Sequence, residues 1–105
     1  MESDWKKFRA LVPELRERYI AKCNAAVLQE FTAPGKTETE RFWDALHVME
    51  KEAKILRYCI DGHSRSKMQL FIHSMVGAGM MTKEDLAGFS DELQQQIAYV
   101  FDEKG

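Results

Sequence analysis

The feature that most constrains the fold is a regular apolar repeat in the middle of the chain. Thr37 is followed three residues later by Glu40, which is the sequence signature of a helix capping box. Apolar side chains then recur at intervals of four and three residues, and this spacing places them along one face of an α-helix. The sequence therefore predicts a long amphipathic helix over about residues 38–61. Its apolar stripe is Phe42, Leu46, Met49, Ala53, Leu56 and Ile60.

Three further segments carry helical periodicity. We expect a first helix over about residues 4–31, with a kink or a break near Pro13, because proline lacks the backbone donor and restricts the residue before it. A third helix over about residues 65–76 is apolar on nearly every side and should be the most buried. A fourth covers about residues 83–102, and Gly88 leaves open a break within it.

The fold class follows from these segments and from the lack of any strand pattern. No segment alternates apolar and polar residues as a half-buried strand would. A chain of 105 residues with 45% apolar and 30% charged residues is typical of one globular domain. We therefore predict an all-α protein, a compact bundle of four main helices, in which residues 1–105 form a single domain.

Charge and cysteine content restrict the setting in which the chain works. Fifteen Lys and Arg against seventeen Asp and Glu give a formal net charge of −2, which does not favour nucleic acid or an acidic membrane surface as partner. Cys23 and Cys59 fall within apolar helical patterns, and the start of the chain lacks a secretory apolar segment. The most apolar run, residues 68–81, is too short and too interrupted to span a bilayer. We expect a reduced, cytoplasmic protein that binds no membrane.

A polar turn between two apolar helices is the most distinctive candidate site. Gly62 marks the end of the second helix, and Ser64 or Ser66 can cap the third, whose free amides suit an anion beside basic side chains. Two interpretations remain open. The turn is either a hydrated, well-capped helix connection or a site that binds a protein partner or an anion. The candidate binding residues are Arg57, His63, Ser64, Arg65 and Lys67.

Arginine and histidine also recur at one spacing in this part of the chain. Five residues separate Arg41 from His47, and five separate Arg57 from His63. This spacing is similar to the Arg-to-His spacing of the HEPN-type helical ribonucleases. The resemblance implies that the histidine does general acid–base work while the arginine steadies the phosphate. On that alternative, Arg57, His63 and Arg65 are the catalytic residues.

One helical face carries residue types that can bind metals. Glu40, Asp44 and His47 are four and three residues apart and so project to one side of the helix. Di-metal sites in helical bundles use a Glu-x-x-His motif twice, together with two further carboxylates. The chain has one near match, at Asp44 and His47. A solvated charged face explains these residues, so we predict no metal and no cofactor.

Helix lengths and methionine placement favour an interaction module over an enzyme. Helices of about 27 and 24 residues span roughly 36 to 40 Å whereas the third spans about 18 Å, so part of the long apolar stripe lacks an internal neighbour. A homodimer is the commonest way to cover such a stripe. Met80 and Met81 follow two glycines, and we expect them to be partly exposed and able to contact a partner. We predict a small interaction or regulatory module that binds a protein partner of unknown identity, forms a homodimer and does no catalysis.

Overall fold

The computed structural model describes residues 2–104, with side chains described through residue 101. It confirms the all-α prediction, because four helices follow one another and no strand occurs within the described residues. In that part of the chain no helix is long and apolar enough to cross a membrane. Short 3₁₀ turns at Arg65–Lys67 and Glu84–Leu86 precede the third and fourth helices. The helices are α1 (Glu2–Thr32), α2 (Glu38–Ile60), α3 (Met68–Gly77) and α4 (Asp91–Lys104).

Helix α1 runs without interruption through Pro13, which excludes the break and leaves the kink as the alternative that was predicted there. Pro13 lies on the exposed side of the helix. Because proline has no backbone N–H, the carbonyl of Arg9 lacks its helical hydrogen bond, and water can take its place on this side. The opposite side is buried at intervals of three or four residues, and its packing holds the helix together across the proline. That buried side consists of Asp4, Phe8, Val12, Leu15, Tyr19 and Cys23.

Local sequence signals define both ends of α2. The Thr37 backbone N–H donates to Glu40 Oε1 at 2.9 Å, and the Glu40 N–H donates to Thr37 Oγ1 at 3.1 Å, so the predicted capping box is confirmed. At the other end, the Asp61 N–H donates to the Arg57 carbonyl at 3.3 Å. Gly62 follows with φ of +78°, a left-handed conformation that glycine adopts without strain.

The connection into α3 differs from the predicted one. The Arg65–Lys67 turn leads into α3, and neither Ser64 nor Lys67 makes a side-chain capping hydrogen bond within the described residues. The predicted serine cap is therefore wrong. Leu70 is 61% exposed, so α3 is buried on one side only, through Met68, Ile72, Met75 and Val76.

The chain after α3 folds back and buries two methionines. The backbone N–H groups of Met80 and Met81 both donate to the Met75 carbonyl, at 2.8 and 3.3 Å. Both side chains are only 2% exposed and belong to the hydrophobic core. The predicted exposure of Met80 and Met81 is therefore wrong, because this tight turn directs them inward and away from any partner.

The fourth predicted helix is broken near Gly88, as its sequence left open. Only the short Glu84–Leu86 turn lies before the glycine, and α4 begins after Ser90. The Leu93 N–H donates to Ser90 Oγ at 3.2 Å, which is the geometry of a helix N-cap. Local capping therefore decides where this helix begins.

The helical bundle is extended at one end. Its core residues come from α1 as far as Cys23, from the end of α2 after Ala53, and from the segment that follows. The radius of gyration is 16.4 Å, against about 13 Å expected for a chain of this length. The extents are 52 × 27 × 17 Å. The far part of the α1–α2 hairpin therefore projects beyond the core.

Candidate functional site

Helix α2 does not turn its apolar stripe towards α1. Ala45 is buried on the side that packs against α1, and Glu52 on the same side accepts a hydrogen bond from the Tyr19 hydroxyl at 2.7 Å. Phe42 and Met49, by contrast, are 57% and 53% exposed. The first half of the stripe is therefore open to solvent.

Helix α1 carries a matching open stripe in the same part of the hairpin. Tyr19 and Cys23 are buried on the side that packs against α2. The apolar residues Ile20, Val27 and Phe31 each come one residue later in the sequence than a position on this contact side. Phe31 is 49% exposed, and the other two are half-buried. In the sequence, the apolar residues of α1 recur at spacings of one as well as three and four. Where two apolar residues are adjacent in the sequence, they point to different faces of the helix. These adjacent pairs were the sequence signal that α1 has two apolar faces.

The two open stripes lie on the same side of the hairpin. Successive residues of an α-helix are rotated by about 100°, so each stripe is turned by one such step from the α1–α2 contact. The two helices are antiparallel, so, seen from one end of the hairpin, one chain turns clockwise and the other anticlockwise. Their contact sides also point in opposite directions, towards each other. A rotation of one residue from the contact side therefore brings the stripe of each helix to the same surface of the hairpin. We call this surface the hairpin face, and its residues are Ile20, Val27, Phe31, Phe42, Leu46, Met49 and Ala53.

The opposite surface of the hairpin is polar. One position before each contact residue, the two helices carry charged or polar side chains, apart from Ala25. Across this end of the hairpin the Lys36 ammonium donates to Asp44 at 2.7 Å and lies 3.5 Å from Glu30. Most of the exposed apolar surface of the hairpin therefore lies on the hairpin face, and Leu28 and Trp43 are exposed outside it. The polar residues opposite it include Lys22, Gln29, Glu40, Asp44, His47 and Lys51.

The hairpin face has an aromatic tip and a charged border. The rings of Phe42 and Trp43 meet edge to face, with centroids 5.0 Å apart, at the start of α2. Contiguous exposed apolar surface rimmed by polar residues marks an interaction site. In the middle of the face, a shallow depression is lined by Met49, Glu50, Ala53, Lys54 and Arg57.

The structure places His63 at the edge of the core. Its Nε2 lies 2.7 Å from the Cys59 carbonyl, so this nitrogen carries a proton and donates it to the carbonyl oxygen. The imidazole also contacts Phe8 and Phe71, with ring centroids 4.9 and 4.5 Å away. His63 therefore has a packing role that its position in a polar turn did not reveal.

The basic residues of the same turn do not gather around His63. Arg65 Nη2 donates to Glu2 Oε2 at 2.9 Å, and its guanidinium lies 5.9 Å from the centre of the Trp5 ring. Arg57 and Lys67 are exposed. The turn thus connects the start of α1 to the α2–α3 connection. A role of this turn in binding an anion or a partner stays a prediction.

The carboxylates near His47 are engaged elsewhere. Hydrogen bonds from the Thr37 backbone and side chain hold the pKa of Glu40 below its usual value. Asp44 accepts a hydrogen bond from Lys36. Within the part of the chain that the structure describes, no three potential metal ligands come together.

The two cysteines are core residues. Cys23 and Cys59 are free and buried, and burial raises the pKa of both thiols. A raised pKa keeps a thiol protonated and unreactive at neutral pH.

No family model, curated protein or solved structure matches this chain. The geometry of the hairpin face is therefore the basis for assigning a function.

Proposed function

We propose that this chain is a small helical protein-interaction module that docks an α-helical protein partner on its hairpin face. The observation that supports it is the exposed apolar face of a hairpin that projects beyond the core. Phe31, Phe42 and Met49 are each about half exposed on that surface. Removing such area from water gains about 25 cal/mol per Å², so a partner that covers it binds favourably.

The shape of the face indicates the chemistry of the partner. Two apolar stripes run along α1 and α2, and a helix with apolar residues at intervals of three and four can pack against them. Glu50, Lys54 and Arg57 border the face on the side away from α1 and can select the partner's charges. A homodimer belongs to the same proposal, since the second copy carries a face of this kind. A cytoplasmic location and a regulatory role stay predictions.

The ribonuclease alternative gains no support from the geometry of the turn. One ring nitrogen of His63 is bonded to the Cys59 carbonyl, and Arg65 pairs with Glu2. General acid–base catalysis needs a histidine whose nitrogen can reach the substrate. The interaction module is therefore the better supported function.

Affinity capture from the protein's own cells tests the proposal. The tagged wild-type chain is compared with the Phe42→Glu/Met49→Glu variant and with Tyr58→Glu, a control that places one glutamate at an exposed residue elsewhere on α2. Each extract is treated with nuclease, and the helical content of each variant is checked by circular dichroism. We expect a protein retained by the wild type and by Tyr58→Glu and lost with the double variant. Equal retention by all three would show that the hairpin face is not the docking site.

A further inference from the structure

We propose that the partner on the hairpin face is a second copy of this chain, with the two α2 helices antiparallel about a two-fold axis near residue 51. This inference rests on the proposed docking function and names its partner. The apolar stripe of α2 has intervals of four, three, four, three and four, which read the same in both directions. An antiparallel copy therefore meets the stripe in register, but Leu56 and Ile60 are already half-buried against the chain's own core and offer only their remaining exposed surface. The facing pairs are Phe42 with Ile60, Leu46 with Leu56, and Met49 with Ala53, each occurring twice.

The side-chain sizes favour this antiparallel register. At the centre, Met49 faces the small Ala53 of the other copy, so a large side chain fills the space that a small one leaves. A parallel pair would place Ala53 against Ala53 and Met49 against Met49. That arrangement alternates gaps with crowding, and both lower stability. The antiparallel pairing also lays the exposed Phe42 at the tip of one hairpin over Ile60 at the base of the other.

The charges beside the stripe are complementary in the same register. Glu50 follows Met49 and Lys54 follows Ala53, on the border of the face. Within the described residues, neither Glu50 nor Lys54 makes an ion pair. In the antiparallel pair, Glu50 of each copy is offset by only about 3 Å along the helix direction from Lys54 of the other copy. Two equivalent ion pairs then lie on either side of the two-fold axis.

Because a two-fold contact is closed, each copy occupies the same surface of the other and the pairing does not recruit a third copy.

Sedimentation equilibrium tests the pairing and its register together. We expect the wild-type chain to reach twice its 12.2 kDa mass at micromolar concentration. Met49→Glu should stay monomeric, and the control Tyr58→Glu should remain dimeric. Glu50→Lys should weaken the dimer about tenfold, since two attractive pairs become repulsive. The double variant Glu50→Lys/Lys54→Glu should restore it, because each exchanged pair is again complementary.

Spin-label distances distinguish the antiparallel pair from a parallel one. Labels are placed singly at Lys51 and at Thr39, both exposed, while the native cysteines are buried. About the proposed axis, the two copies of Thr39 are about 36 Å apart along the helix direction, whereas the two copies of Lys51 are level. The Thr39 pair should therefore be the more distant. The reverse order would overturn the antiparallel register.

Failure of this inference can be told apart from failure of the docking function. A wild-type monomer at several hundred micromolar, whose capture of another protein still needs Phe42 and Met49, overturns self-pairing and leaves the docking function in place. A dimer that Met49→Glu does not affect overturns self-pairing through this face. A dimer that Met49→Glu abolishes, with the charge exchange restoring Glu50→Lys, supports both.

Discussion

Ser90 donates both its backbone N–H and its hydroxyl to the carboxylate of Asp4, at 2.8 and 2.6 Å, across 86 residues of sequence. Asp4 is buried, so these hydrogen bonds are protected from water. The same Ser90 hydroxyl accepts the Leu93 N–H and caps α4. The pair therefore fixes the first turn of α1 against the first turn of α4.

Removing the Asp4 carboxylate should destabilise the fold. We expect Asp4→Ala to lower the free energy of unfolding by about 2–3 kcal/mol, because hydrogen bonds to charged groups contribute about 1.5–3 kcal/mol and the Ser90 N–H loses its partner. Urea unfolding followed by circular dichroism measures the change. Ser3→Ala, at an exposed neighbouring position, serves as control. A loss no larger than that of the control would contradict the anchoring role of Asp4.

Replacing Pro13 should stabilise the chain. The proline lies inside a continuous α1 on its exposed side, and proline in a helix interior costs about 3 kcal/mol relative to alanine. We expect Pro13→Ala to raise the free energy of unfolding by about 1–3 kcal/mol, whereas the exposed neighbour Glu14→Ala should change it by less than about 0.5 kcal/mol. Thermal unfolding of the three proteins decides this. A lower melting temperature for Pro13→Ala would mean that the chain at this point is not an ordinary helix.

The packing role of His63 gives a third prediction. His63→Ala removes a ring that contacts Phe8 and Phe71 and leaves the Cys59 carbonyl unpaired. The free energy of unfolding should fall by about 2 kcal/mol, whereas the exposed His47→Ala should have little effect. The same proteins are incubated with RNA. RNA cleavage by the wild type that disappears in a fully stable His63→Ala would instead favour the ribonuclease alternative.

The contact between Arg18 and Asp85 predicts loss of stability in acid. Burial alone raises the pKa of Asp85, but hydrogen bonds from Arg18 and Thr82 outweigh it and hold this pKa below its usual value. The folded state then binds the proton more weakly than the unfolded chain does, so protonation favours unfolding. This contribution is complete above pH about 4, the ordinary pKa of aspartate, and is lost as the pH falls below it.

The measurement is the fall in melting temperature between pH 7 and pH 3. Asp85→Asn cannot be deprotonated, so its melting temperature should depend less on pH over this range than that of the wild type. Equal pH dependence in the two proteins would show that Asp85 contributes nothing to acid sensitivity.

Much of the fold follows from local signals in the sequence. The capping box of Thr37 and Glu40 and the left-handed Gly62 are encoded within a few residues of where they act. The contacts of Met80 and Met81 and the link between Asp4 and Ser90 depend on residues that meet only after folding. Periodicity and turn signals therefore predict helix positions and not these contacts.

The candidate site was predicted only in part, for a related reason. An apolar stripe such as that from Phe42 to Ile60 shows that a helix has an apolar side, without showing what covers that side. The unequal helix lengths correctly indicated that part of the stripe lacks an internal neighbour. The polar turn at His63 drew attention because its residue types suit catalysis, yet three-dimensional packing engages its ring.

Photo-crosslinking in the protein's own cells tests the central claim most directly. A photo-reactive benzoylphenylalanine is placed at Phe42, on the hairpin face, or at Tyr58, which is exposed elsewhere on α2. We predict a crosslinked protein adduct from position 42 and none from position 58, and an adduct of twice 12.2 kDa identifies the second copy. The absence of an adduct from position 42, or equal adducts from both positions, would contradict the hairpin face as the docking surface.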